Sequence, residues 1–175
     1  MYRLTVLSIL ILAGTRLFAA EVPEGPKLGR PAGKQEIAGW EIDVAPDGKG
    51  LPPGGGNAVQ GKLVYEKQCL SCHGEGGLGD SGDQLAGAQM GLASDWPEKT
   101  IGNFWPYATT LFDFNRRSMP MTAPESLSND DNYAVTAYLL YLNGIIGETD
   151  EMNAKTLPAV QMLNRDGFIN DYEGK

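Results

Sequence analysis

Cys69-Leu70-Ser71-Cys72-His73 gathers both cysteines and the one histidine of the 175-residue chain into five consecutive positions. Two thiols one helical turn apart can each bond a vinyl group of one porphyrin, and the adjacent imidazole then projects towards the iron. C-x-x-C-H at this spacing is the attachment signature of a c-type haem. Counting weighs against the competing chemistries. A structural zinc site needs four ligands, commonly two such pairs, and nothing outside the motif supplies the second pair. A thioredoxin-like redox pair sits in a βαβ setting, whereas the surroundings here are Gly-rich and helix-like. A CxxC disulfide closes a tight ring and leaves His73 without a role. The sequence therefore predicts one covalent haem c on Cys69 and Cys72, with His73 as the proximal iron ligand.

A low-spin electron-transfer haem needs a sixth ligand, and without a second histidine the choice falls on methionine thioether. Met119 and Met121 occupy a turn between two expected helices. Met119 is preferred because Pro120 stiffens the segment that carries it, and Met121 is the alternative. Met90 lies in the loop after the motif, and Met152 and Met162 lie in the tail. Trp105, Tyr107, Arg116 and Arg117 are candidates to hold the haem propionates. The two arginines read equally well as a solvated helix end that complements the dipole.

The elements that position these residues are short. Asn57 with Gln60 three residues on forms a capping pair, and the helix it starts runs to the haem motif. Gly61, Tyr65 and Cys69 recur every four residues on one face, where a glycine admits close approach of another helix. Residues 74–103 are Gly-rich and poorly periodic, a loop long enough to wrap a cofactor edge. Pro106 is expected to open a helix carrying Leu111, Phe112, Phe114, Arg116 and Arg117. Ser128-Asn129-Asp130-Asp131 caps the last helix, whose stripe is Ala134, Ala137, Tyr138, Tyr141 and Leu142, with Gly144 as the stop.

The flanks divide the chain into a signal peptide (1–20), a Pro/Gly-rich arm (21–56), the helical domain (57–146) and a tail (147–175). The signal is Arg3, the apolar run Leu4 to Ala13, and small residues near Ala19 and Ala20. Gly14 and Arg16 leave that run short of a membrane span, so a periplasmic protein without stable membrane insertion is expected. Removing Arg3 and Arg16 takes the formal charge from −8 to −10. That balance excludes nucleic acid as a partner and suits a basic protein surface or simple solubility. Trp40 and Phe168 suggest that residues 28–56 and 157–170 form a partner-docking collar outside the ligand set.

With these pieces placed, the chain resembles the class I cytochromes c. The helix carrying Gly61 and Tyr65, the Met119-Pro120 turn and the closing helix with Tyr138 carry the likeness. The resemblance implies an all-α bundle around one haem, with first and last helices crossing at Gly61 and Tyr65. In that family a proline carbonyl often accepts the ring N–H of the proximal histidine. No proline occurs between His73 and Trp96, so another carbonyl must serve. Leu28-Gly29-Arg30-Pro31-Ala32, Trp40-Glu41-Ile42-Asp43-Val44, Gly50-Leu51-Pro52-Pro53-Gly54, the run Trp105 to Asp113 and Asn164-Arg165-Asp166-Gly167-Phe168 are similar to cytochrome subunits of Sox sulfane dehydrogenases. This implies a molybdenum-cofactor dehydrogenase subunit as electron donor and a downstream soluble cytochrome c as acceptor. The chain itself would then shuttle electrons and catalyse nothing alone. The competing classes are an open-site haem enzyme or ligand sensor lacking the methionine ligand, and a free diffusible carrier.

Overall fold

A computed structural model describes residues 25–26, 28–88, 91–170 and 172. The expected signal segment and Met90 lie outside the described residues. The elements in chain order are α1 (Lys34–Ala38), β1 (Gly55–Gly56), α2 (Ala58–Gln68), α3 (Leu70–His73), α4 (Ile101–Phe104), α5 (Ala108–Ser118), α6 (Asn129–Leu142) and β2 (Met152–Asn153). Single 3₁₀ turns lie at Glu75–Gly77 and Leu157–Ala159. The architecture is an all-α bundle of short helices with one small two-stranded ribbon, the fold class that the resemblance implies.

Helix α2 begins where expected. The Asn57 side chain accepts the Gln60 N–H at 3.1 Å, and the Gln60 side chain accepts the Asn57 N–H at 3.0 Å. Helix α6 is capped by Ser128, whose hydroxyl accepts the Asp131 N–H at 3.1 Å. The two helices cross at Gly61, where a Cβ would collide with the carbonyl of Ala134 and stand 2.8 Å from Tyr138 Cβ. One turn on, the Tyr65 and Tyr138 rings pack at 5.3 Å.

Helix α6 differs from the one-sided stripe that the sequence predicts. Residues 132–140 are buried on every side, because α2, α5 and the β1–β2 ribbon surround the helix. The ribbon pairs Gly55 with Asn153 and Gly56 with Met152, antiparallel. Phe112 on α5 stacks on Tyr133 of α6 at 4.5 Å, and both belong to the core with Leu111, Leu139, Leu140, Leu157 and Met162.

Helix α5 starts two residues later than Pro106 suggests. Trp105 precedes that proline and is held extended (φ −72°, ψ 128°), as the proline ring requires of its neighbour. The break ends α4 at Phe104, and Tyr107 becomes the N-cap of α5.

The arm and tail are not one collar outside the domain. Residues 42–56 form a strap bound to α5 and α6, with Val44 only 7% exposed and Leu51 packed on the core. In the tail, Leu157, Val160 and Met162 are likewise core residues. The inner part of the expected collar is therefore core, because it packs its apolar side chains against those of the helices. Residues 28–41 remain exposed throughout, as does Phe168, whose ring meets Phe104 edge-on at 5.5 Å.

Candidate haem-binding site

The motif sits where the first long helix runs out. Cys69 caps α2 and its carbonyl accepts the N–H groups of Cys72 (3.1 Å) and His73 (3.0 Å). One further helical turn, α3, therefore sets the two thiols and the imidazole on a single rigid step. Cys69 is half-buried and Cys72 exposed. Burial pushes the Cys69 thiol up to about 11, with the neighbouring Cys72 thiol adding to the effect.

The loop after the motif folds back over it. Gly74 takes φ +71°, a conformation that L side chains rarely adopt, and turns the chain out of α3. The Gly79 N–H then donates to the His73 carbonyl at 2.8 Å, and the Gly82 N–H to the Cys72 carbonyl at 2.7 Å. Gly82 lies against the imidazole so closely that a Cβ there would be 3.2 Å from His73 Cε1. The Tyr65 hydroxyl donates to the Gly74 carbonyl at 2.7 Å, tying the loop to the α2–α6 crossing. Burial pushes this phenol up to about 12, with the nearby Cys69 and Tyr138 groups acting in the same direction.

His73 Nδ1 is 2.7 Å from the carbonyl oxygen of Asp83. A carbonyl only accepts, so Nδ1 carries the proton and Nε2 keeps its lone pair. That is the tautomer an iron-ligating histidine requires, with its orienting partner in place. Asp83 thus supplies the carbonyl that no proline in this loop could.

The remaining predicted ligands are placed as follows. Met119 is the half-buried C-cap residue of α5, its N–H donating to the Asn115 carbonyl at 3.0 Å. Met121 is 76% exposed. Met152 and Met162 are buried in the core, their thioethers engaged in packing. Both arginines lie in the last turn of α5, where their charge complements the helix dipole, and each also has a protein partner. Arg116 donates to the Ile42 carbonyl at 2.9 Å, and Arg117 forms an ion pair with Asp113. Trp105 stands edge-on to Phe114 at 5.7 Å, and the Arg165 guanidinium lies over the Tyr107 ring at 4.2 Å. Leu70 on the motif, Leu78 on the loop and Phe114 on α5 are apolar yet exposed, surface of the kind an apolar macrocycle would cover. Two paired thiols, a histidine in the ligating tautomer and uncovered apolar side chains fit a covalently held haem.

Sequence reasoning missed Asp113, a carboxylate 6% exposed. The signal was present in Thr109, Asp113 and Arg116, polar residues at i, i+4 and i+7 that share one face of α5.

A bundle whose first and last helices cross at a glycine, with C-x-x-C-H at the exit of the first, defines a cytochrome c. The family profile for cytochrome c matches residues 58–143, and the chain belongs to that family. Among solved structures it is similar to the sulfane dehydrogenase SoxCD from Paracoccus pantotrophus. The two share 41% sequence identity and a TM-score of 0.79, over 84% of this chain and 73% of that one. It is also 33% identical over 113 residues to the thiosulfate dehydrogenase of Stutzerimonas stutzeri (strain A1501), a stretch that is 63% of this chain. The match spans about a third, 34%, of that relative's length. Among the described residues no helix is long and apolar enough to cross a membrane.

Proposed function

We propose that the protein is a periplasmic monohaem cytochrome, the electron-transfer subunit of a molybdenum-containing sulfur-compound dehydrogenase. In this reading it accepts electrons from the dehydrogenase subunit and passes them to a soluble cytochrome c. The observation that carries the proposal is His73, whose Nδ1–H is committed to the Asp83 carbonyl while Nε2 stays available. Cys69 and Cys72 would hold haem c through thioether bonds, and His73 and Met119 would be the axial ligands. Haem c supplies one-electron ferric/ferrous chemistry when bound. The chain's own contribution is to anchor, orient and enclose it, so the protein alone performs no sulfur chemistry. The domain would span residues 57–146, with the strap and the inner tail completing its core.

Similarity to SoxCD and to a thiosulfate dehydrogenase supports a dehydrogenase partner. The outer arm supplies a surface for one. Leu28 and Trp40 are 87% and 86% exposed. Ile37 and Trp40 line a shallow pocket of about 470 Å³ with Ala32, Glu36, Glu41 and Asp43. An apolar anchor ringed by carboxylates suits a partner face with an apolar socket and a basic rim.

The axial assignment is tested by reduced-minus-oxidised spectra and carbon monoxide binding. Met119→Ala is expected to give a high-spin, carbon-monoxide-reactive haem of lowered potential, and Met121→Ala to change little. The reverse result would move the ligand to Met121. Carbon monoxide binding to the unaltered protein would indicate an open-site haem enzyme or sensor.

A further inference from the structure

We infer that Asp113 is a positioning residue for the sixth ligand: through it the strap fixes helix α5 and with it Met119. The inference rests on the assignment of Met119 to the iron. Three hydrogen bonds join the strap to one face of α5. The Thr109 hydroxyl donates to the Pro46 carbonyl at 3.0 Å, the Val44 N–H to Asp113 Oδ1 at 2.8 Å, and Arg116 to the Ile42 carbonyl at 2.9 Å. The strap residues descend 46, 44, 42 while the helix residues ascend 109, 113, 116, so the two segments run antiparallel.

The first interval is close in physical length: four helical residues rise about 6 Å, against about 6.6 Å for two extended residues. The second, three helical residues or about 4.5 Å, is shorter, and there the contact is made by the long side chain of Arg116 reaching the Ile42 carbonyl. The middle contact is the most committed of the three. Asp113 is buried, accepts the strap N–H, and also accepts from Arg117 Nε at 3.1 Å on both carboxylate oxygens. Phe112 and Asn115 meet α6 at Tyr133 and Thr136, so α5 is gripped between α6 and the strap.

The strap then crosses to the start of α6. The Tyr133 hydroxyl donates to the Pro52 carbonyl at 2.8 Å, Asn129 to the Pro53 carbonyl at 3.2 Å, and the Gly55 N–H to Asp130 Oδ1 at 2.9 Å. Both legs of the α5–turn–α6 hairpin are therefore fastened to one segment, and Met119 begins the turn between them. Trp40 lies two residues before Ile42, the first strap residue bonded to α5. A partner that seizes Trp40 would load the same strap.

The test uses the full-length, haem-loaded protein at a temperature where circular dichroism shows every variant folded. Four substitutions are compared: Asp113→Ala, Asp113→Asn, Thr109→Val and, as a core-destabilised control away from the strap, Ile101→Ala. The readouts are the thioether-to-iron charge-transfer band, carbon monoxide reactivity and reduction potential. Asp113→Ala is expected to lose part of the band, gain carbon monoxide binding and show a lowered potential. Asp113→Asn, which keeps an oxygen for the Val44 N–H, should restore most of the signal, and Ile101→Ala should retain all of it. If Asp113→Ala does not fold, Thr109→Val should show the same changes in smaller measure. A full band in Asp113→Ala, or equal losses in Asp113→Ala and Ile101→Ala, would overturn the inference. Met119→Ala run alongside separates the two levels. If it keeps the band, the ligand assignment fails. If it loses the band while Asp113→Ala keeps it, only the positioning role fails.

Discussion

The two halves of the arm are alike in composition and opposite in structure. Residues 28–41 and residues 42–56 are both rich in glycine, both short of regular structure, and each carries a few large apolar side chains. The outer half leaves Leu28, Ile37 and Trp40 in solvent, while the inner half buries Val44 and packs Leu51 on the core. Backbone propensity does not separate them. The separation comes from what each can bond to. The inner half meets a stripe of donors and acceptors on α5 and the start of α6, which settles backbone groups that would otherwise stay with water. Among the described residues the outer half meets no such stripe, and its ion pair of Arg30 with Glu36 is exposed and local. An irregular segment can thus be core or exposed surface, and the deciding partner lies 60 or more residues away in the chain, as at Val44 and Asp113.

Deletion gives the largest expected effect. Removing residues 25–41 should leave the visible spectrum and thermal stability close to those of the intact protein. Removing residues 25–53 should abolish recovery of soluble haem-loaded protein. The longer deletion strips away Val44 and Leu51, worth roughly 1.5–3 kcal/mol each on burial, and every strap bond to α5. Equal behaviour of the two truncations would erase the distinction between the halves.

A middle-sized effect is expected at Tyr133, the residue that clasps the inner half to α6. Burial pushes its phenol up to about 12, partly offset by Arg116, whereas an unfolded tyrosine titrates near 10. The folded state therefore holds the proton longer than the unfolded one. Its contribution to stability is complete below about pH 10 and is lost as pH climbs from 10 to 12. Tyr133→Phe should cost about 1 kcal/mol at neutral pH, through the lost bond to Pro52, and should flatten the alkaline decline. Denaturant titrations at pH 8 and pH 11 would measure both.

The smallest effect on the protein itself is expected from Trp40→Ala, within about 0.5 kcal/mol of the original stability, as for an exposed surface position. Co-purification with the dehydrogenase subunit should nevertheless weaken. A large loss of stability would place Trp40 in the core rather than at an interface.

Much of this arrangement is legible in the sequence because its signals are local. The pairing of Asn57 with Gln60, the cap at Ser128 and the five-residue motif each lie within one turn of what they specify. The sequence also shows that no proline can serve His73 in this loop. It does not show that Asp83 takes that place, because any backbone carbonyl is chemically equivalent and the loop's path selects among them. The strap was hidden for a related reason. Its partners on α5 are polar residues that read as a solvated face until an extended segment is laid along them. Arg116 and Arg117 illustrate the same ambiguity, since a cation near a helix end suits a propionate, the helix dipole, a carbonyl or a neighbouring carboxylate equally well.

The central claim is that Cys69, Cys72 and His73 hold a covalent haem, and intact-mass spectrometry of protein exported from a host with c-type maturation tests it most directly. The account predicts one species at the mass of the exported chain plus a single haem, resistant to acid-acetone extraction. It also predicts that Cys69→Ala and Cys72→Ala each greatly reduce the yield of that species. A stable, folded protein with no added haem mass, its two thiols free or joined to each other, would contradict it.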